Sequence, residues 1–219
     1  MRISELADRS GVSVATIKYY LREGLLPPGQ ATSATQARYG EAHLARLRLV
    51  RVLRDVGRVP VANLGAVLDA IDDRALDLHD KIGAAHHALG PEPPADPTAD
   101  HQAARADVVR FVAERGWRVR PDCPSLDALA TVLVGLRALD GDVGADVFLV
   151  HAGAAEELAR FELATIDTAA GVEAAITQVV VGTVAFEQAF VALRRLAQEH
   201  HSAERFADPD PAGVDGAGR

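Results

Sequence analysis

The amino-acid sequence predicts a mainly α-helical protein, in which a small β element interrupts the N-terminal helices and an all-α region follows. Three observations favour this fold class. Apolar residues recur at spacings of three and four along most of the 219 residues. Glycine and proline break this pattern into short helices within the first 75 residues. Four prolines between Gly90 and Thr98 then precede a second set of longer helical patterns.

Charge divides the chain at about the same place. Residues 1–75 hold 11 basic and 8 acidic side chains, a net charge of +3, whereas residues 76–219 hold 12 and 23, a net charge of −11. A local basic face can still attract phosphates although the whole chain carries a formal charge of −8. We expect four parts: an N-terminal domain (1–74), a helix with a proline-rich linker (75–97), a helical domain (98–205) and a disordered tail (206–219).

Two short helices joined by a tight turn are expected at the N-terminus. Ser4 is a candidate cap for the first helix, and Gly11 ends it. Ser13 is then a good cap for the second helix, which Gly24 ends. The residues expected to face inward from the second helix are Val14, Ile17 and Leu21.

Residues 25–39 are expected to form a loop or a small two-strand ribbon, because they are rich in threonine, serine and glycine. A helix from Glu41 to about Val56 follows, and a shorter helix covers about 61–71. The core stripe of the longer helix is Leu44, Leu47, Val50 and Leu53, and that of the shorter helix is Leu64, Val67 and Leu68.

The second region begins with a helix over about 76–90, and four helices are expected beyond the linker: 99–115, 125–139, 143–165 and 172–201. The third of these should face the core through Val147, Val150, Ala154, Leu158 and Phe161. The last carries a stripe with alternating steps of four and three, which is typical of a helix that packs along a partner helix. This stripe is Val172, Ile176, Val179, Thr183, Phe186, Phe190, Leu193 and Ala197. Other apolar residues lie beside it, so this helix is expected to be central and covered on several sides.

The first two helices describe a helix-turn-helix whose second helix presents polar residues. Lys18 and Arg22 can neutralise phosphates, and Thr16 can contact a base edge or a phosphate. Tyr19 and Tyr20 offer hydroxyls to backbone oxygens, although either ring can also belong to the core. Flanking DNA could be held by Arg38 and by arginines of the helix after the ribbon. Periodicity alone leaves an ordinary amphipathic helix with a solvated basic face as the alternative.

About residues 1–72 resemble the N-terminal domain of MerR-type (mercury-resistance regulator) transcription factors. The resemblance lies in "ISELADRSGVSVATIKYYLREGLLPP", "ARYGEAHLARLRLVRVLRDVG" and "VANLGAVLDAI". It implies a winged helix-turn-helix that binds a near-palindromic promoter as a homodimer and activates it by twisting an overlong spacer. By this match the DNA-facing helix contains Ser13, Thr16, Lys18, Tyr19 and Tyr20. Arg38 and Tyr39 close the wing and are counted among the candidate DNA contacts.

The sequence departs from the family pattern at several points. Lys18 stands where the family usually has arginine, which keeps the charge but loses the planar fork. Leu21 replaces a commonly polar residue, and the wing lacks an arginine- and glycine-rich tip. Residues 75–89 are short for the long helix that forms the antiparallel dimer seam in the family.

Metal and enzyme chemistry are not expected. Cys123 is the single cysteine, which disfavours both a thiolate metal site and an internal disulfide. His79, His86 and His87 share a predicted helix face and could bind a metal, but a polar helix face is the more common reason for such spacing. The sequence contains no phosphate loop, HExxH or GxSxG motif, so we expect neither enzymatic activity nor a cofactor.

A cytoplasmic location is expected. No uninterrupted apolar run reaches the roughly 18 residues of a membrane span, and the N-terminal stretch has no apolar core of a secretory signal. A single cysteine also fits a reducing compartment.

The second region has two possible roles. Its aromatic residues could line a pocket for a small apolar effector or could simply fill the core. The candidate pocket residues are Trp117, Phe148, Phe161, Phe186 and Phe190. Alternatively, the region is a dimerisation or protein-interaction module without an effector, which would dock a partner such as an RNA polymerase subunit. An enclosed apolar cavity would favour the first role, and an exposed apolar patch the second.

Overall fold

The computed structural model describes residues 1–33 and 36–206. The predicted disordered tail therefore lies outside the described residues, apart from Phe206. Within them the fold is mainly α-helical with one small antiparallel sheet, which confirms the predicted class. The elements are α1 (Ile3–Ser10), α2 (Val14–Arg22), β1 (Gln30–Ser33), β2 (Gln36–Arg38), α3 (Glu41–Arg51), α4 (Val61–Asp72), α5 (Leu78–Leu89), α6 (Ala99–Glu114), α7 (Pro124–Asp140), α8 (Leu149–Ala164) and α9 (Val172–Phe206).

The turn between α1 and α2 forms as predicted, with one correction. Gly11 adopts a left-handed conformation (φ 67°), which a side chain would strain, and it ends α1. The Ser13 hydroxyl accepts a 3.1 Å hydrogen bond from the Thr16 backbone N–H and so caps α2. The prediction that Ser4 caps α1 is wrong, because the helix already begins at Ile3 and Arg2 occupies the cap position.

The predicted ribbon is a two-stranded sheet in which Gln30 pairs with Arg38. The chain terminus fastens its base: the amino group of Met1 donates a 2.7 Å hydrogen bond to the Tyr39 carbonyl, and the Tyr39 N–H donates to the Met1 carbonyl at 2.9 Å. The ribbon is thereby held against α1 at its open end.

The helix predicted from Glu41 to Val56 consists of two parts. It is α-helical to Arg51 and continues as a π-helical turn over Val52–Val56. Its predicted core stripe is confirmed, as is that of α4, since all seven side chains are buried: Leu44, Leu47, Val50, Leu53, Leu64, Val67 and Leu68.

Helix α9 packs on the N-terminal helices, which the sequence does not predict. Its first half joins the same apolar core as α3 and α4 and contacts α4, α5 and the π-helical turn. The buried residues of this half are Ala175, Ile176, Val179, Val180 and Val184. Every residue from 191 to 206 is exposed. The expectation that this helix is covered on several sides is therefore wrong for its second half.

A second apolar core joins α6, α7 and the start of α8 through Val108, Phe111, Leu126, Leu133 and Ala152. Side-chain ion pairs fasten α6 to α7. Arg105 pairs with Asp127 at 3.0 Å, and Asp107 binds Arg137 at 2.5 Å.

The predicted core stripe of α8 is wrong. Val150 is 82% and Phe161 68% exposed, and the other three members (Val147, Ala154 and Leu158) are also exposed. A 3₁₀ turn over Ala145–Phe148 precedes the helix. Val147 therefore lies outside α8, and the other four members lie within it, where their spacing shows that they share a face but not that another part of the chain covers that face. Helix α8 instead turns the small side chain of Ala152 toward the core.

Among the described residues, one helix has the length and composition of a membrane span. An 18-residue window of α9 has a mean hydropathy of 1.6, and 22% of it is buried. This is weak support for a membrane span, since core helices of soluble proteins meet the same criterion. The apolar composition of α9 is accounted for in part by its buried first half.

The seating of α9 on the N-terminal core can be tested at Gly57. A Cβ at this position would lie 2.6 Å from Val184 Cβ and 2.9 Å from the Leu53 carbonyl oxygen. We expect Gly57→Ala to lower the free energy of unfolding by about 1–3 kcal/mol, measured by urea denaturation. Gly65→Ala is the matched control, because nothing lies within 4 Å of its Cβ position. It should be neutral or stabilising by about 0.5–1 kcal/mol.

Candidate DNA interface

Helix α2 is anchored by its apolar side and leaves a polar face open to solvent. Ile17 on α2 and Leu6 on α1 are fully buried. Arg51 on α3 donates a 2.9 Å hydrogen bond to the Ser10 carbonyl, which fixes the turn between the two helices. Ser13 and Lys18 are exposed and Thr16 is partly exposed. The predicted polar face therefore exists on a rigidly held helix.

Tyr19 and Arg22 form one unit at the end of this face. Tyr19 is partly buried, and the Arg22 guanidinium lies 5.2 Å from the centre of its ring, within the range of a cation–π contact. Arg22 also pairs with the neighbouring Glu23 at 3.1 Å, with its own side chain 71% exposed. Such exposed pairs contribute little, so Arg22 remains free to turn toward a phosphate.

Tyr20 belongs to the core and not to the exposed face, which corrects its assignment to DNA contact. The residue is 2% exposed, and its hydroxyl accepts a 2.7 Å hydrogen bond from Arg54 Nη1. This bond raises the pKa of Arg54 and ties the end of the π-helical turn to α2. Two adjacent tyrosines on a helix point about 100° apart, so one can be buried while its neighbour stays accessible.

Removing the Tyr20 hydroxyl is expected to affect stability and not DNA binding. Tyr20→Phe should lower the free energy of unfolding by about 1 kcal/mol, because the Arg54 guanidinium loses its partner. Affinity for a promoter fragment should stay within about twofold, which corresponds to about 0.4 kcal/mol, because the buried Tyr20 side chain does not face the DNA. Denaturation and fluorescence anisotropy measure the two effects. A large loss of affinity in a normally folded variant would return Tyr20 to the DNA face.

The wing offers one of its two predicted contacts. Arg38 is exposed at the end of β2. Tyr39 is 8% exposed, and its ring packs edge-on against His43 with 5.2 Å between ring centres. Tyr39 therefore positions the wing base and does not face solvent. The centre of the wing tip, residues 34 and 35, lies outside the described residues.

The arginines of α3 and the following turn divide into structural and accessible side chains. Arg46 binds Asp72, Arg51 binds the Ser10 carbonyl, and Arg54 binds Tyr20. Arg48 is exposed and makes no ion pair within residues 1–33 and 36–206. Sequence periodicity could not separate these arginines, because their partners lie on other helices. Arg48 thus joins the candidate DNA contacts.

The histidines considered as metal ligands do lie together on α5. His79, His86 and His87 border a cleft of about 260 Å³, and Cys123 lies across from them. In the described part of the chain, one group of donors lies close enough to share an ion: His200, His201 and Glu204. These three side chains are exposed and bonded to one another near the end of α9, so they form no enclosed site.

The five aromatic residues predicted to line one pocket are not brought together. Trp117 and Phe148 pack on the second core, where the rings of Phe148 and Phe111 lie 6.5 Å apart. Phe161, Phe186 and Phe190 are 68%, 56% and 43% exposed. The reason is that α9 packs on the N-terminal core, away from the core that holds Phe148. Of the five residues, Phe186 borders a cavity of about 130 Å³ between α5, α8 and α9.

Comparison with known proteins agrees with the geometry of α1, α2 and the wing. Residues 1–71 match the family of MerR HTH regulatory proteins. The chain is 32% identical over 81 residues to the mercuric resistance operon regulatory protein of Bacillus cereus, covering 36% of this chain and 61% of that protein. It is 30% identical over 131 residues to heavy metal-dependent transcription regulator 2 of Rhizobium meliloti (strain 1021), covering 59% of this chain and 86% of that protein.

A solved structure extends the similarity to the second region. It is a crystal structure from Streptomyces coelicolor A3(2), described as that of a transcriptional regulator, SCO5550. The two chains are 40% identical with a TM-score of 0.69, over 95% of this chain and 99% of the other. These relatives are transcriptional regulators, a non-enzymatic class, in agreement with the prediction that the chain is not an enzyme. The chain belongs to the MerR helix-turn-helix family of regulatory proteins.

Proposed function

We propose that this protein is a sequence-specific, cytoplasmic transcriptional regulator that binds promoter DNA as a homodimer and responds to a small apolar effector. The observation that supports DNA binding most strongly is the exposed face of Ser13, Thr16 and Lys18 on a helix fixed by the buried Ile17 and Tyr20. A rigid helix with accessible polar residues meets the requirement for reading the major groove.

The remaining contacts would hold the DNA backbone. Tyr19 and Arg22 extend the face of α2, while Arg38 and Arg48 supply charge from the wing and from α3. The acidic residues 76–219 would be repelled by the duplex, so the N-terminal region is the part that approaches DNA. Lys18 lacks the planar fork of arginine and is suited to hold a phosphate as a point charge.

The experiment that tests this proposal selects promoter fragments from the source genome with the purified full-length protein. Enriched fragments should share a near-palindromic site, and binding should weaken steeply as salt is raised. Enrichment without a common site, or affinity equal to that for shuffled fragments, would argue against sequence-specific binding.

We place the dimer seam on the part of α9 from Phe186 to Leu193. Helix α5, which stands where the family resemblance implies a long dimer helix, has 12 residues and packs against both α4 and α9. Its apolar face is therefore already used within the chain. In contrast, Phe186, Phe190 and Leu193 of α9 form an exposed stripe with steps of four and three. An unpaired stripe of this kind is stabilised when a second helix covers it.

An antiparallel arrangement of two copies also matches the charges of α9. A two-fold axis near Val191 places Phe190 of one copy against Leu193 of the other. The same axis brings Glu187 near Arg194 of the second copy, and the symmetry repeats this pair. Both side chains are exposed, and neither has an ion-pair partner in the described part of the chain. The apolar stripe and its flanking charges thus favour the same pairing.

The small cavity between α5, α8 and α9 supports an apolar effector. Its walls include Ile82, Ile166 and Phe186, and its polar side is formed by His86 and Thr183, whose Nε2 and Oγ1 atoms lie 3.2 Å apart. Surrounding protein lowers the pKa of His86 by desolvation, although part of the residue stays exposed. This favours the neutral imidazole, which suits an uncharged ligand with one polar group.

A second candidate role for the helical region is docking of a protein such as an RNA polymerase subunit. The observation in its favour is the exposed apolar stripe of α8, with Val150 82% and Phe161 68% exposed. A patch of this kind marks an interaction site more often than a random surface. Val150→Glu with Phe161→Glu separates the two roles: it should abolish activation without changing promoter or effector binding if α8 docks a partner.

A further inference from the structure

A charged cavity of about 450 Å³ lies where α3 and α4 meet the start of α9, apart from both the DNA-facing helix and the apolar cavity. Three basic side chains line it: Arg46, Arg74 and Lys81. Its acidic lining residues are Asp72 and Glu173. Part of the wall is apolar, with Pro27, Leu76 and Val172. The volume lies within the range of small-molecule sites in proteins.

Lys81 is the most unusual residue of this cavity. It is 4% exposed, and its ammonium donates a 2.6 Å hydrogen bond to the Ile71 carbonyl. This bond caps the end of α4 and occupies one of three donors. In the described residues no carboxylate oxygen lies within 4.0 Å of the ammonium. A buried charge without a counter-charge is costly, so an anion in the cavity would stabilise Lys81.

The other two cations of the cavity differ in what they leave unpaired. Arg46 binds both carboxylate oxygens of Asp72 through Nη2, whereas its Nη1 is buried without a hydrogen-bond partner in the described part of the chain. Arg74 is exposed and has no ion-pair partner within residues 1–33 and 36–206. Of the two acidic side chains that line the cavity, Asp72 is paired with Arg46, which leaves Glu173 to oppose Lys81 and Arg74. The cavity therefore retains a net positive charge.

We propose that this cavity binds a small organic carboxylate. The carboxylate would accept hydrogen bonds from the Lys81 ammonium and the Arg74 guanidinium, and the apolar part of the ligand would lie along Leu76 and Val172. Charge-assisted bonds of this kind are the strongest that a carboxylate makes with side chains. The ligand would touch α5, the end of α4 and the start of α9 together, and so connect the DNA-binding core to the helix assigned to the dimer seam.

Binding can be measured without DNA, so this inference stands or falls separately from the proposed function. The full-length protein is titrated with 2-naphthoate, with benzoate and with decanoate by calorimetry, and 2-naphthamide serves as the neutral counterpart of 2-naphthoate. We expect at least one carboxylate to bind, and 2-naphthoate to bind roughly tenfold or more tightly than the amide, the ratio that one charge-assisted contact typically gives.

Two variants locate the site. Lys81→Met keeps the buried volume and removes the charge, and should lower carboxylate affinity by about tenfold or more. Arg74→Gln lies on the surface and should lower it by about threefold to tenfold without affecting folding. Arg160→Gln, an exposed arginine of α8 with 70% of its side chain accessible, is the matched control and should bind like the native protein.

Three outcomes would overturn the proposal. One is that none of the three carboxylates binds at concentrations up to about 5 mM, which corresponds to about 3 kcal/mol of binding energy. Another is equal affinity for 2-naphthoate and 2-naphthamide. The third is an Arg74→Gln variant that binds like the Arg160→Gln control, a result that decides the matter even if Lys81→Met fails to fold.

Discussion

Replacement of Phe190 and Leu193 by glutamate is expected to convert the proposed dimer into a folded monomer and to lower promoter affinity about a hundredfold, because two half-sites are then bound independently. The expected cause is local. Both residues are exposed within one chain, at 43% and 62%, so the new charges should not disturb the fold of the single chain. They are unfavourable only where a second copy covers them. Sedimentation velocity measures the assembly, and anisotropy with a palindromic fragment measures the affinity.

Leu139→Glu is the matched control for this pair, since Leu139 is 87% exposed at the end of α7 and lies outside the proposed seam. It should remain dimeric. A charge exchange gives a sharper test of the antiparallel geometry. Glu187→Arg alone places like charges together and should weaken the dimer, whereas Glu187→Arg with Arg194→Glu should restore it. If none of these substitutions changes the stability of the dimer, the seam lies elsewhere.

The combined change of Lys18 and Tyr19 to alanine is expected to have the second largest effect. Affinity for the selected promoter should fall by about 10- to 100-fold, the range for removing one phosphate-binding side chain together with one packing side chain from a binding helix. The slope of the logarithm of affinity against the logarithm of salt concentration should become shallower by about one for each phosphate that is no longer neutralised in a half-site. Anisotropy titrations at several salt concentrations measure both quantities.

Lys18→Arg separates the two ways in which this side chain can act. If Lys18 holds a phosphate, arginine should keep the affinity and leave the preferred sequence unchanged, because the charge is retained. If it reads a base, arginine should shift the preference toward guanine at one position of each half-site. Arg160→Ala on α8 serves as the control for removal of a surface charge. An unchanged salt slope in the Lys18 and Tyr19 double variant would remove this face from the account.

The N-terminal fold could be predicted from the sequence because its signals are local. Ser13 caps α2 through a residue three positions away, and Gly11 ends α1 through its own backbone conformation. The core stripes of α3 and α4 also follow from spacing alone. Tyr20 could not be separated from Tyr19 in this way. Its burial depends on Arg54, which is 34 residues away and lies on a different element.

The second region was harder to predict because its packing depends on distant parts of the chain. Nothing near Val179 or Val184 in the sequence specifies that these residues pack on α4 and the π-helical turn. The predicted aromatic pocket required α8 and α9 to share one core, and the separation into two cores removed it. The exposed stripes on α8 and α9 could not be predicted for a related reason. A periodic apolar face shows that a helix has a partner surface but not whether that surface lies in the same chain.

Hydroxyl-radical footprinting of the unmodified protein, with and without the selected promoter fragment, tests the central claim most directly. Tyr19 on α2 and Phe161 on α8 are both reactive aromatic residues with accessible surface, so they report on the N-terminal helices and on the second helical region in one experiment. The predicted result is that DNA protects Tyr19 from oxidation and leaves Phe161 unchanged. Protection of Phe161 with no change at Tyr19 would contradict the assignment of the DNA-binding face to α2.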